Sequence, residues 1–373
     1  MASTLKERLG RIKELKNSEP QTQAFKAGMS GDSVSVFTDN NWTACGFMAL
    51  KREVVLPAPF KVRAALPQAL AIIVPDLARG NLPSPENFLF FDLETTGLSG
   101  GAGTTAFLAA FGKPLPDGKM RITQYLLLDY PGENDFLEAV LKEFENENSV
   151  IVTYNGKCFD SQILKTRCLM NGIKPPQYFH ADLLYPARRL WKNVIHDCSQ
   201  ASIETKILGL DRLGDIPGSF APEIWFEFLK TGRTDRLMDI CGHNCADIKG
   251  LASIMGAMIC IADDPFNADF SYDIDRIALY WRDFTRWRNS INLQVTGDRL
   301  LRFAAESGCQ YLPNKRAAVF RALAVDCERK LKDIPLAINY VKKGLDLKGA
   351  GQFWKNEFEH RLNRLERKLV SNR

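Results

Sequence analysis

Four consecutive apolar residues, Phe88-Leu89-Phe90-Phe91, run directly into Asp92-Leu93-Glu94 and then Thr95-Thr96-Gly97. A short apolar run of this kind suits a buried strand. Side chains alternate along a strand, so Asp92 and Glu94 share one face at its C-terminal end. Two carboxylates placed there repel one another unless a cation sits between them. A fold for this chain must therefore end a core strand in clustered negative charge.

The residues that follow supply the rest of a sheet. Phe107 to Phe111 and Ile122 to Leu128 read as two more strands, separated by the turn sequence Pro114-Leu115-Pro116-Asp117-Gly118. Phe136, Leu137, Val140, Leu141 and Phe144 recur at helical spacing within 133–146. Val150-Ile151-Val152-Thr153-Tyr154 is a further strand, and Ser161 to Asn171 a helix closed by Gly172. The fold class expected for residues 88–265 is α/β, a mixed sheet flanked by helices. After Pro265 the strand signal stops. Ile274, Ile277, Trp281 and Phe284 share one helical face, and residues 297–306, 316–332, 335–347 and 352–370 form four more helix candidates. Residues 271–373 are thus expected to be an all-α domain. Its segment Arg316 to Lys348 is similar to one tetratricopeptide unit, without that family's Trp and Gly in the first helix.

Residues 1–87 open with Thr4-Leu5-Lys6-Glu7, a capping-box spacing, and with Leu5, Leu9 and Ile12 at helical intervals. An N-terminal helix is expected, then a strand at Val34-Ser35-Val36-Phe37, then a proline-rich linker up to Asn87. The pattern assigns this segment no role.

Composition narrows the class. Of 373 residues, 45% are hydrophobic and 25% charged, which excludes disorder and fibrous repeats. No apolar run approaches the roughly 20 residues that cross a bilayer, so no membrane partner is expected. Nine cysteines without paired spacings read as reduced thiols of a cytoplasmic protein. Cys241 and Cys245 are the nearest pair, but no second pair completes a zinc site, so they read as small buried hydrophobes. Charge is unevenly divided: residues 271–373 carry 21 Lys+Arg against 12 Asp+Glu, whereas residues 1–270 carry 28 against 32. A basic end beside an acidic larger part suits a polyanion held at one end and processed at the other, although a solvated helical surface gives the same count.

Two further segments carry acidic residues at the ends of elements. In Tyr154-Asn155-Gly156-Lys157-Cys158-Phe159-Asp160 a strand ends in a polar turn and Asp160 opens a helix. In His243-Asn244-Cys245-Ala246-Asp247, His243 and Asp247 are four apart at the start of an apolar helix, and so project from one face. Singly, each has an ordinary explanation as a solvated strand end, a helix cap or a structural histidine. Together, Asp92, Glu94, Asp160 and Asp247 offer oxygen ligands on rigid elements, which is what two hard divalent cations need. Cations roughly 3.5–4 Å apart can polarise a phosphodiester and lower the pKa of an attacking water.

Phe-Asp-Leu-Glu-Thr-Thr-Gly-Leu at 91–98, Tyr-Asn-Gly-Lys-Cys-Phe-Asp at 154–160 and His-Asn-Cys-Ala-Asp at 243–247 resemble the three exonuclease motifs of the DEDD superfamily, on a ribonuclease-H-like fold. Ser99 to Thr104, His180-Ala181-Asp182-Leu183-Leu184 and Ser202-Ile203-Glu204-Thr205 are similar to its YprB-type bacterial branch, a ribonuclease-H-like domain often joined to tetratricopeptide-like helices. The resemblance implies a 3′→5′ exonuclease using two Mg²⁺ or Mn²⁺ ions on a single-stranded RNA or DNA end. It implies that Asp92 bridges both ions, that Glu94 and Asp247 complete the first site and that Asp160 binds the second. His243 would then orient or deprotonate the attacking water. In the superfamily's His branch four residues separate His from Asp, whereas here three do, the spacing of the branch that uses Tyr.

Around this centre, Thr95, Thr96 and Gly97 are candidates to present backbone N–H groups to a terminal nucleotide, with Asn155 to position it and Phe159 and Tyr154 to stack on a base. Asp182 is a candidate further carboxylate, and Arg188, Arg189, Trp191 and Lys192 a candidate backbone-tracking face. The residues themselves support phosphodiester hydrolysis, and exonuclease polarity comes from the resemblance alone. The competing expectation is a scaffold with a weak or inactive nuclease fold, whose basic helices bind a protein or nucleic-acid partner.

Overall fold

The structure is a computed structural model that describes residues 36–59, 69, 72–75, 77, 83–97, 101–212, 216–287, 297–307 and 312–371. The helix expected around Leu5 to Ile12 lies outside them. By internal contacts the chain divides into two compact units: residues 1–65, 83–184 and 208–257, and residues 66–82, 185–207 and 258–373. The units interleave along the chain.

In the first unit, strands β1 (Thr43–Gly46), β2 (Ala49–Pro57), β3 (Phe88–Thr95), β4 (Ala106–Pro114), β5 (Lys119–Leu127), β6 (Val150–Thr153) and β7 (Phe179–Asp182) form one mixed sheet in the order β1-β2-β5-β4-β3-β6-β7. β3 lies between antiparallel β4 and parallel β6. That central place explains its near-continuous apolar sequence, because both faces of a central strand are covered. Phe91 stacks on Phe111 of β4 at 4.9 Å between ring centroids, and both rings meet Phe144 edge-on.

The strand expected at Val34 to Phe37 is corrected at Val36 and Phe37, and Val34 and Ser35 lie outside the described residues. Residues 36–39 are helical, and Phe37 is fully buried edge-on to Trp42 and Phe228. Four residues of alternation do not separate a strand from a helical turn that buries a single aromatic. The segment ahead of residue 88 also supplies β1 and β2, and β2 pairs along its whole length with β5.

Helix α1 (Glu133–Leu141) packs on β1, β2 and β5, and α2 (Asp160–Met170) on β4. After α3 (Leu184–Ile195) and α4 (Gln200–Lys206), α5 (Ala221–Thr231) lays Trp225 flat on Phe107 at 5.2 Å, with the indole N–H donating to the Leu127 carbonyl. Helix α6 (Asp235–Asp263) approaches the sheet so closely that a Cβ on Gly112 of β4 would stand 2.5 Å from Ile248 Cγ2. By length and composition α6 could cross a membrane, with a mean hydropathy of 1.6 in its most apolar stretch, a signal the sequence reading did not register. However, 67% of that stretch is buried within the protein, so its apolar character serves the core.

In the second unit the chain is helical. Helices α7 (Ile274–Trp287), α8 (Gly297–Glu306), α9 (Pro313–Asp326), α10 (Ile334–Leu345) and α11 (Gln352–Ser371) each pack on the next. Two buried ion pairs cross them: Arg282 grips Asp326 through two nitrogens, each at 3.0 Å, and Arg316 Nε reaches Asp275 at 3.0 Å. Trp191 and Arg189 of α3, expected to track a nucleic-acid backbone, are used internally. The Trp191 indole is buried and donates to the Ser271 carbonyl, and the Arg189 guanidinium donates to the Ile72 carbonyl and lies over the Tyr280 ring.

Replacing Gly112 with Val forces the α6 backbone off the sheet, and overpacking of this kind costs about 1–3 kcal/mol. Urea unfolding of Gly112→Val should show that loss, and wild-type stability would refute the close approach.

Candidate active site

Three elements bring the acidic residues together. β3 ends with Asp92 and Glu94 on one face, opposite Ala110 and Leu108 of β4. α2 begins at Asp160, which is buried at 5% exposure, and its preceding residue gives no side-chain cap. α6 carries His243 and Asp247 one turn apart, with His243 Nε2 at 3.1 Å from Asp247 Oδ2. The resulting cleft, of about 240 Å³, is walled by Asp92, Glu94, Thr95, Asn155, Phe159, Asp160, His243 and Asp247 together with Leu93, Tyr154 and Gly218.

The turn between β6 and α2 is held by a carboxylate outside that cleft. Asp182, at the end of β7, accepts hydrogen bonds from the backbone N–H groups of Asn155 at 2.8 Å, Lys157 at 3.0 Å and Leu184 at 3.1 Å. Asn155 has a left-handed φ of 63°, a conformation asparagine accepts more readily than most residues. Asp182 is thus committed to shaping the turn that presents Asp160, which corrects its reading as a further cation ligand.

Electrostatics mark the centre. Burial, and then the facing charges of Asp247, Asp160 and Glu94, hold the Asp92 carboxyl well above its ordinary range, opposed by a hydrogen bond from Asn244. Burial pushes Asp160 up to about 7, with Asp182 and Asp247 adding to the rise. Asp247 is partly compensated: Arg212 Nη1 lies 2.6 Å from its Oδ1. Ligand atoms of Glu94, His243 and Asp247 fall within 4.8 Å of one another. Asp92 and Asp160, which resist ionisation unless positive charge is added, join Glu94 and Asp247 in a donor set suited to hard divalent cations.

Nine of the sequence candidates, Tyr154 among them, line the cleft, whereas Thr96 and Gly97 do not. The Thr96 hydroxyl accepts from the Thr105 N–H at 2.9 Å, and Gly97 backs onto Thr104, so both serve the exit from β3. Three residues escaped the sequence reading. Arg212 comes from a loop with no motif. Gly218 is required because a Cβ there would stand 2.9 Å from His243 Nε2. Asn244 is fully buried and donates from Nδ2 to Asp92 Oδ2 at 2.7 Å. It did leave a signal, as an amide four residues from both Ile240 and Ile248 on the apolar stripe of α6.

Comparison with known proteins agrees with this arrangement. Residues 89–259 match the RNase_H superfamily. A Bacillus subtilis (strain 168) protein, named "Uncharacterized protein YprB", is 40% identical over 171 residues, covering 45% of this chain and 41% of that protein. The chain therefore matches about two fifths of that relative's length. The family B DNA polymerase of the hyperthermophilic archaeon Pyrobaculum calidifontis overlaps 69% of this chain and 36% of its own at 12% identity and a TM-score of 0.36, too slight to define a shared fold. With a mixed seven-stranded sheet and a carboxylate cleft at the end of its central strand, residues 89–259 form an RNase-H-like domain, in line with that match.

Proposed function

We propose that the protein is a divalent-metal-dependent nuclease, and specifically a 3′→5′ exonuclease of the DEDD type acting on single-stranded nucleic acid. The convergence of Asp92, Glu94, Asp160 and Asp247 on one cleft, with His243 beside Asp247, carries this reading. Asp92, Glu94, Asp160 and Asp247 would hold Mg²⁺ or Mn²⁺ ions in the cleft. Such ions supply positive charge to the phosphodiester and acidify an attacking water. His243 would orient or deprotonate the attacking water, which requires its Nε2 to give up the 3.1 Å contact with Asp247 Oδ2. Thr95 and Asn155 hold the terminal nucleotide, and Phe159 and Tyr154 stack on its base. The basic residues 271–373 bind nucleic acid or a protein partner. The free thiols fit a cytoplasmic setting.

Incubation with 5′-labelled single-stranded RNA and DNA in Mg²⁺ or Mn²⁺ should give a ladder that shortens from the 3′ end. Asp92→Ala and Asp160→Ala should abolish it. Absence of cleavage by the wild type, or cleavage surviving both substitutions, would overturn the reading.

A pH-dependent stability follows from Asp160. Its folded-state value of about 7 exceeds the ordinary 3.8, so between those pH values the native state holds a proton that the unfolded state has released. The metal-free protein should therefore lose stability as pH rises from about 4 to 7. Melting curves in EDTA should show that slope flattened in Asp160→Asn, which mimics the protonated acid. In the wild type, Mn²⁺ at 100 times its Kd should restore about 2.7 kcal/mol. An unchanged slope in Asp160→Asn would contradict this account.

A further inference from the structure

The Asn244 amide that faces Asp92 is itself oriented by a chain of hydrogen bonds starting on β2. Arg52 Nε donates to Gln124 Oε1 at 2.7 Å. Gln124 Nε2 donates to the Cys241 carbonyl and to Asn244 Oδ1, each at 2.9 Å. Asn244 Nδ2 then donates to Asp92 Oδ2 at 2.7 Å. Gln124 is 1% exposed and Asn244 0% exposed, so neither amide can exchange these partners for water without opening the core.

Amide orientation is normally ambiguous, because oxygen and nitrogen have the same shape. Here it is determined twice. A guanidinium has no acceptor, so Gln124 must turn its oxygen to Arg52. A backbone carbonyl has no donor, so Gln124 must turn its nitrogen to Cys241. Asn244 Oδ1 is thereby obliged to accept, and its nitrogen is left to face Asp92. The anchor is placed by strand pairing: Arg52 and Gln124 are direct partners in the β2–β5 ladder, and the Arg52 guanidinium lies 4.8 Å over the Trp42 ring.

We infer that Arg52 and Gln124 are positioning residues of the cation site, acting through Asn244 to fix a donor on Asp92 Oδ2 and to leave its other oxygen for a cation. This inference rests on the cation-binding reading of the cleft. It gives the first hairpin, which carries no motif, a part in the chemistry. A carboxylate surrounded by other carboxylates can adopt several rotamers, and a fixed N–H donor selects one. Groups that orient metal ligands in this way typically change metal affinity by 10–100-fold when removed.

Gln124→Glu tests the polarity with almost no change of shape. Glutamate still accepts from Arg52 but offers Asn244 a second acceptor, so the asparagine amide reverses and turns its oxygen on Asp92. Mn²⁺ titration by calorimetry should show affinity about 10–100-fold weaker than wild type, and the metal-free melting temperature should fall, because the new carboxylate oxygen faces the Cys241 carbonyl. At half-buried Arg52, Lys should retain wild-type Mn²⁺ affinity and Met should lose several-fold. That pair decides the matter if Gln124→Glu fails to fold. Wild-type affinity in Gln124→Glu, or equal affinities for the Lys and Met variants, would overturn the relay while leaving the cation site standing. A wild type that binds no Mn²⁺ would overturn the nuclease reading itself, and the relay with it.

Discussion

The mutual repulsion of carboxylates brought to one cleft is the constraint on which the rest of the first unit depends. Asp92 and Asp160 are held above their ordinary acidity by burial and by neighbouring acids. Left alone, such a cluster would splay apart or hold protons. It is tolerable because each carboxylate sits on an element that cannot easily move: the central strand of a seven-stranded sheet, the first turn of a helix, and a helix seated against a glycine of β4. Rigidity keeps the charges together, and positive charge relieves them.

Part of that relief is built in. Arg212 meets Asp247, Asn244 meets Asp92, and the three N–H groups that meet Asp182 remove a further acid from the competition. Asp182 shows how a carboxylate close to the centre can have a different task. Its hydrogen bonds from Asn155, Lys157 and Leu184 come from the backbone of the turn and of the start of α3, which makes it a fastener for Asn155 and Lys157. Position near a cluster did not decide its role, but its partners did.

Strands β3 to β6 and the three motif segments were legible in the sequence because their signals are local, whereas β7 was not read as a strand. An apolar run, a turn sequence or a helical period needs only a dozen neighbouring residues to be seen. The hairpin β1–β2 was not legible, since its residues Val54 and Val55 are exposed and its register is set by β5, some 70 residues away in the Arg52–Gln124 pair. Arg212 was missed for the same reason: nothing near it in sequence refers to Asp247. The motif did not show that the Thr96 N–H is taken up by the Thr105 carbonyl, because residue types in order do not say which of them turn back on the chain. Trp191 and Arg189 were overread, since a cation beside an aromatic describes a core contact as well as a binding face.

Helix α6 unites the core with the cleft, and its rotation about its own axis is what keeps the two in step. Successive residues of an α-helix are about 100° apart, so Asn244 and the pair His243 and Asp247 cannot occupy the same line on its surface. Asn244 follows the stripe of Ile240 and Ile248 and meets Asp92 from the interior, where Gln124 waits. His243 and Asp247 face the cleft. The helix thus supplies groups to both sides of the β3 carboxylates, and a small rotation would improve one set only by spoiling the other. The contact of Ile248 with Gly112 opposes such a rotation, because the groove left by a missing Cβ admits that methyl group in one orientation. Packing that reads in the sequence as an ordinary apolar helix therefore sets the angle at which a polar site is assembled.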